Sequence, residues 1–278
     1  YLPLRYTRLH MGANHVHHIT VVVPTYNRPM ELAQCLASLK AQTESHYDLL
    51  LLKERGPLAS IRNTGLSQTR TELVVFIDDD TVCPPTWMHG ILNLFQVWPE
   101  VVGVTGPAII PATYKSHRDL FRYPFLKWAY DRLFLDPDSH LPGRITRAGA
   151  FTTAASEEAC TYEGSVDYLE ACNMAFRTKA LRSVGGFDEA YGGIGDWSEP
   201  DVAARLRLLY GNNSLWFSPS ARLYHHPSQG GAYLLRDADA RQRLDNYRLF
   251  ATRWVPPTLR SRVYERFLTA YYWWKRIR

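Results

Sequence analysis

Glu72-Leu73-Val74-Val75-Phe76-Ile77-Asp78-Asp79-Asp80 is the stretch on which the reading of this chain turns. Five apolar residues in a row, three of them β-branched, read as a strand buried on both faces, as in a parallel sheet. The strand stops at three consecutive carboxylates. Upstream, Ile19-Thr20-Val21-Val22-Val23 is a second such run, closed by Pro24. Between them, Pro29 to Lys40 places Leu32, Leu36 and Leu39 at helical spacing with proline at the helix start. Asp48 to Leu52 reads as a further strand and Ala59 to Ser67 as a further helix. Strand, helix, strand, helix, strand predicts an open α/β sheet with helices on both faces. In such sheets ligands bind beyond the carboxyl ends of the strands. Pro24-Thr25-Tyr26-Asn27 and Asp78-Asp79-Asp80 both stand at such ends, so both are expected at one crevice.

Downstream, Thr86 to Trp98 reads as a helix and Val101 to Val104 as a strand. Residues 111–163 are irregular and rich in aromatic, Arg and Pro residues, the pattern of an insertion or lid. Tyr168 to Phe176 reads as extended, Thr178 to Val184 as a short helix, and Pro200 to Tyr210 as an amphipathic helix. Residues 1–18 show no period, and His10, His15, His17 and His18 within them read as a surface arm rather than a metal site.

The bulk composition is that of a globular chain: 278 residues, 46% apolar and 21% charged, which argues against disorder. A formal charge of +5 and a pI of about 9.0 suit anionic partners. The four cysteines, Cys35, Cys83, Cys160 and Cys172, form no CxxC pair and lie at no zinc-finger spacing, so buried thiols in a reducing compartment are expected. No run of about 18 apolar residues predicts a membrane span, and no signal peptide is visible. A cytoplasmic location follows as the expectation.

Three adjacent carboxylates at a strand end repel one another unless a cation or hydrogen-bond donors compensate. A hard divalent ion with oxygen ligands is one compensator; a solvated acidic turn, with Asp80 as a helix cap, is the other. Glu199 and Asp201 open the Pro200 to Tyr210 helix, where acidic residues favour the dipole, and either could instead face the crevice as a base. His225-His226 follows a strand-like segment and could complete a metal site, or be a surface or core pair. Arg62 suits a phosphate or a surface ion pair. Gly185-Gly186-Phe187-Asp188 reads as a helix-capping turn.

Val23-Pro24-Thr25-Tyr26-Asn27-Arg28, Arg62-Asn63-Thr64-Gly65, Phe76-Ile77-Asp78-Asp79-Asp80, Asn173-Met174-Ala175-Phe176-Arg177, Gly185-Gly186-Phe187-Asp188-Glu189, Glu199-Pro200-Asp201 with Arg205, and His225-His226 occur in that order. Each is weak alone; the ordered set resembles the family 2 glycosyltransferases, over roughly Ile19 to Gly231. The resemblance implies a GT-A fold: an open, mostly parallel sheet flanked by helices, with a Rossmann-like nucleotide-binding half and an acceptor half. It divides the chain into an arm (1–18) and a glycosyltransferase domain (19–231). Within the domain fall a nucleotide-sugar half (19–110), an insertion (111–163) and an acceptor and catalytic half (164–231). A basic, aromatic, helical C-terminal extension (232–278) follows.

Carried over by position, the resemblance implies a sugar moved with inversion from a nucleoside diphosphate to an acceptor hydroxyl. Pro24, Thr25, Tyr26 and Asn27 would meet the base, Arg62 and Asn63 would line the nucleotide pocket, and Asp78 and Asp79 would face ribose and donor sugar. Asp80 and His225 would hold Mn²⁺ or Mg²⁺, with His226 outside the site. Glu199 would be the general base, with Asp201 second in line, and Gly185 to Glu189 would shape the acceptor side. One departure is clear. The second strand of the family ends in an acidic turn that reads uracil, whereas this one runs Leu52-Lys53-Glu54-Arg55-Gly56. Glu54 is the substitute candidate, and UDP, ranked first, shares the field with GDP and dTDP.

From Arg236 onward basic residues dominate, and Tyr271-Tyr272-Trp273-Trp274-Lys275-Arg276 sets aromatics beside cations. Such a tail suits an anionic bilayer surface and a glycan or lipid-linked acceptor, and equally suits packing on the domain; no nucleic-acid module is visible. Two other functions compete with transfer. One is a binding or scaffold protein that kept the fold and lost catalysis. The other is a sugar nucleotidyltransferase, which would need a glycine-rich basic loop where this chain has Pro24 to Asn27.

Overall fold

The computed structural model describes residues 6–11, 19–111, 123–152, 159–228 and 240–277. The three runs read as buried strands form the centre of the molecule: β2 (Ile19–Pro24), β3 (Tyr47–Leu52) and β4 (Leu73–Ile77). β2 pairs in parallel with both others, Val21 standing opposite Leu49 and Val75. Strand side chains alternate between faces, and the two faces are covered differently. Val21, Val23, Leu49, Leu51, Val75 and Ile77 pack with Cys35 and Leu39 of α1 (Pro29–Lys40) and with Trp87, Ile91 and Leu94 of α3 (Trp87–Val97). Val22, Leu50, Leu52, Val74 and Phe76 pack with Ile61 and Leu66 of α2 (Leu58–Gln68), and with Leu181, Val202 and Leu206 of α5 (Thr178–Ser183) and α6 (Ser198–Tyr210). Both faces are apolar, hence the unbroken hydrophobic runs. Gly65 lets α2 lie close on the sheet: a Cβ there would come within 2.5 Å of Val22 Cγ1.

With β1 (Tyr6–Met11), β6 (Gly103–Thr105), β8 (Gly164–Ser165), β9 (Asn173–Arg177) and β10 (Leu215–Phe217), the sheet has the order β1-β3-β2-β4-β9-β6-β10-β8. Its pairings make β2, β3, β4, β6 and β10 run one way and β1, β8 and β9 the other. The sheet is thus mostly parallel in strand direction, as expected, with antiparallel strands inserted at β9 and at both edges. A second sheet joins β5 (Thr81–Val82), β11 (Leu223–His225) and β7 (Ala108–Ile109) in the order β5-β11-β7.

Two stretches read as irregular hold regular elements. Tyr6–Met11 forms an edge strand against β3. Residues 124–134 of the insertion form α4 (Pro124–Phe134). The C-terminal region is helical, with α7 (Ala240–Trp254) and α8 (Leu259–Ile277). Phe134, Trp197, Tyr247, Phe250, Tyr264, Leu268 and Tyr272 form a third apolar cluster that binds α4, α7 and α8 to the start of α6. The histidines at 15, 17 and 18 and Arg236 lie outside the described residues. No described helix is long and apolar enough to cross a membrane.

Candidate active site

The small second sheet builds the acidic centre. β11 runs antiparallel to β5 with His225 opposite Thr81, and the amide of His226 donates to the Asp80 carbonyl at 2.9 Å. His225, distant in sequence, is thereby brought beside Asp80: its Nε2 stands 3.2 Å from Asp80 Oδ1, and its Nδ1 lies 3.8 Å from Cys172 Sγ. Asp78, Asp80 and His225 each present a ligand atom, all within 4.8 Å of one another. Two carboxylates and an imidazole form a donor set that fits a divalent cation of the Mn²⁺ type.

Asp79 turns away from this group. It is fully buried and paired with Arg28, at 2.9 Å, and with the Thr25 hydroxyl. Arg28 also approaches Asp80 at 3.2 Å and donates to Ser228 Oγ at 3.3 Å. Burial pushes the Asp79 carboxyl up to about 6, against the pull of Thr25 and Arg28. Burial and the neighbouring Asp80 raise Asp78. Asp80 is buried too, yet His225 and the amide of Ser228 hold it below the usual carboxylate range. Burial would lower the His225 imidazole, but Cys172 and Asp80 hold it well above its ordinary value. Asp80 and His225 therefore share charge as a pair.

Glu199 comes from the first turn of α6. Trp197, just before that helix, has φ of 78°, a left-handed conformation that a bulky side chain adopts only when its surroundings impose it. Its indole is stacked on Phe151 at 3.9 Å and wedged against Tyr247 and Phe250. Glu199 Oε1 forms a salt bridge with Arg62 of α2, and both groups are nearly inaccessible, at 6% and 1% exposed. Arg62 also donates to the Ala171 carbonyl at 3.0 Å and lies 5.4 Å from the Phe187 ring centroid.

Asp201, two residues on, is fully enclosed. It accepts from Tyr191 at 3.2 Å, Arg205 at 2.8 Å, Arg253 at 3.2 Å and Trp254 Nε1 at 2.8 Å, tying α6 to α7. Asn63 points away from Arg62. It bonds the Phe187 backbone in both directions, at 2.8 and 2.9 Å, and Glu189 at 2.9 Å. Gly185 to Glu189 are thereby packed on α2.

A cavity of about 500 Å³ opens beyond the strand ends. Pro24, Thr25, Tyr26, Glu54, Arg62, Asp78, Asp79, Asp80, Glu199 and His225 all line it. Asn27, Asn63 and Asp201 do not. Asn27, with φ of 52°, makes the turn that carries Tyr26 and Arg28 to the rim, a conformation asparagine tolerates. Arg28, Arg55 and Asp196 also line the cavity and were assigned no role from sequence. Arg28 and Arg55 adjoin residues that were, which is the one signal the sequence offers for them. The Arg55 guanidinium lies 6.0 Å from the exposed Tyr26 ring.

Residues 49–158 match the family described as "Glycosyl transferase family 2". A pre-mycofactocin glycosyltransferase of Mycobacterium tuberculosis is 26% identical over 242 residues, covering 79% of this chain and 45% of that protein. The chain thus spans less than half the length of that curated relative. Among solved structures, GalNAc-T7 with UDP, GalNAc and Mn²⁺ superposes with a TM-score of 0.59 at 11% identity, over 86% of this chain and 48% of that one. The mannosyltransferase PcManGT from Pyrobaculum calidifontis, in complex with GDP-Man and Mn²⁺, gives 0.53 at 17%, over 93% and 71%. The fold is of the GT-A class. Within it, residues 49–158 carry the similarity to glycosyltransferase family 2, and the mycobacterial relative extends the likeness over more of the chain.

Proposed function

We propose that the chain transfers a sugar from a nucleoside diphosphate to an acceptor hydroxyl by one inverting displacement, assisted by a divalent cation. The observation that carries this reading is the single cavity on which the Asp78, Asp80 and His225 cluster and the Glu199 carboxylate both open. The base of the donor would lie against Tyr26 and Arg55, with Glu54 at its edge. UDP ranks first; the structural neighbours carry UDP in one case and GDP-Man in the other. Asp78, Asp80 and His225 would hold Mn²⁺ or Mg²⁺. Bound there, the cation would offset charge on the departing diphosphate.

Glu199, oriented by Arg62 on Oε1, would take the acceptor proton as the acceptor oxygen attacks the anomeric carbon. Asp79, held by Arg28, would act through that arginine rather than on the sugar. Asp201 is spent on α7 and is set aside as a base. An acceptor of glycan or lipid-linked type would enter from the side of α8. That helix turns Tyr264, Leu268 and Tyr272 inward and Arg262, Val263, Arg266 and Trp273 outward. The outward set suits anionic headgroups at the cytoplasmic membrane face.

Thermal unfolding with UDP, GDP, dTDP and CMP, each with and without Mn²⁺, tests the reading. One nucleoside diphosphate is expected to stabilise the chain only with the metal, by about 2.7 kcal/mol at a hundredfold excess over Kd. Glu199→Gln should keep that response and lose transfer by about 10²–10⁴-fold. No response to any nucleotide would leave a scaffold that has the fold without the chemistry.

A further inference from the structure

α4 is a helix with two apolar sides. On its inner side, Tyr130 and Phe134 pack on Tyr264 and Phe267 of α8 at ring-centroid distances of 5.0 to 6.3 Å. At about 100° per residue, Phe125, Trp128 and Arg132 point the other way. They do so into solvent: Phe125 is 72% and Trp128 61% exposed, and their rings stack at 5.8 Å. Leu126 and Leu133 beside them are exposed as well. α8 repeats the arrangement. Tyr264, Leu268 and Tyr272 face the third apolar cluster, while Leu259, Val263, Arg266, Ala270 and Trp273 follow one another at helical spacing along the opposite side, all exposed. Leu259 is 79% and Trp273 67% exposed. Single exposed apolar residues are ordinary, but such sets on two helices packed together mark an interaction surface.

The free charge on these two faces has one sign. Within residues 123–135 and 259–274 the acids are Asp131 and Glu265, and each is held by a cation, Lys127 and Arg248. Arg132, Arg262 and Arg266 are exposed and meet no carboxylate among the described residues. A shallow groove of about 580 Å³ between α7 and α8 is lined by Arg262 and Arg266 together with Arg248, Thr269 and Trp273. Free guanidiniums beside an indole suit phosphate esters at the level of lipid headgroups, where tryptophan and tyrosine gather. A two-fold contact between copies would instead set this cationic surface against itself. Neither helix is long and apolar enough to cross a membrane, which a helix lying in the interface need not be.

We propose that α4 and α8 together form a docking surface for an anionic lipid bilayer. Phe125, Trp128, Leu259 and Trp273 enter the headgroup and upper acyl region, and Arg132, Arg262 and Arg266 meet lipid phosphates. α4 thereby supplies the apolar half of the contact given above to α8, and the inference rests on that membrane reading, not on sugar transfer. The third apolar cluster joins both helices to the start of α6, so docking holds the crevice beside Glu199 at a fixed height and orientation over the lipid.

Co-sedimentation of the full chain with vesicles, without nucleotide or metal, tests it. Phosphatidylcholine vesicles carrying phosphatidylserine are expected to bind it at least about tenfold more tightly than phosphatidylcholine alone, and the preference should shrink in high salt. Phe125→Ser combined with Trp128→Ser should weaken binding to the mixed vesicles at least about tenfold. The melting temperature should stay within about 2 °C of the parent's, because both side chains are solvated. Arg262→Gln combined with Arg266→Gln should instead reduce the preference for phosphatidylserine and leave binding to neutral vesicles unchanged. Leu259→Ser combined with Trp273→Ser puts the same question to α8 if the α4 variant does not fold. Binding to neither vesicle, equal binding to both, or full binding by the α4 variant would overturn the proposal. So would a concentration-dependent dimer that the α4 variant abolishes, which would make this face a contact between copies. The nucleotide and Mn²⁺ thermal shift uses none of these side chains, so a failure of lipid docking and a failure of donor binding are distinct.

Discussion

Arg62 leaves α2 and ends on Glu199 of α6, so that a charge suited to phosphate is committed to a carboxylate. Truncating it would strand the Glu199 charge where almost no water reaches, a loss of about 3–5 kcal/mol for a broken buried pair. Arg62→Ala is therefore expected to lower the nucleotide-free melting temperature by roughly 10 °C. A calorimetric scan without ligand checks this, since a residue that only contacts donor would leave the ligand-free chain unchanged. The neighbouring Asn63 shows what sequence adjacency conceals. One step along a helix rotates a side chain by about 100°, which sends Arg62 to the crevice and Asn63 to the turn at Phe187. The same limit applies to Asp78-Asp79-Asp80. The run announces an acidic centre, but the order of the letters does not say that Asp79 turns to Arg28 while its neighbours converge with His225.

At the level of elements, the strands β2, β3 and β4 were legible because burial on both faces leaves an uninterrupted apolar run, and α1, α2, α3 and α6 because their spacing is helical. α4 was not. Phe125, Leu126, Trp128 and Leu133 are exposed while Phe134 is buried, so most of its apolar residues do not mark a side that faces the core. What fixes α4 is distant: Arg260 of α8 donates to the carbonyls of Leu133 and Leu135 and pairs with Asp136. Asp136 also accepts from the Arg147 amide at 2.6 Å. Partial burial would raise its pKa, but the Arg147 amide and the Arg260 guanidinium outweigh that and hold it below the usual carboxylate range.

A depressed folded pKa means that the stabilisation is present above the unfolded value and fades as pH falls through the folded one. Asp136→Asn is expected to cost about 1.5–3 kcal/mol at neutral pH. Urea titrations should show the gap between variant and parent closing only below pH about 4. A gap that persists unchanged in acid would remove the charge from the explanation.

Across the whole molecule, part of the basic tail is spent on ion pairs. Arg243, Arg248, Arg253 and Arg260 meet Asp196, Glu265, Asp188 and Asp136, while Arg262 and Arg266 stay exposed. Composition could show that the tail is cationic and aromatic. It could not show that its aromatics reach across about 130 residues to pack on α4 and Trp197, because that depends on where α4 and Trp197 stand in space. The crevice was legible from strand ends; the helices packed beside it were not.

The strand at the edge of the sheet has a consequence of another kind. β1 occupies the outer side of β3 by backbone pairing from Tyr6 with Leu52 to Met11 with Tyr47. β3 is Tyr-Asp-Leu-Leu-Leu-Leu, a segment with strong β character and one charge. Bare, it would offer a row of free amides and carbonyls to the next molecule. A chain begun at residue 19 is therefore expected to keep its secondary structure by circular dichroism. It should nonetheless form soluble aggregates on concentration, seen as a rising scattering radius where the longer chain's stays constant. The first residues, which no chemistry requires, would then act as a guard on colloidal behaviour, setting how concentrated this protein can become before it joins itself.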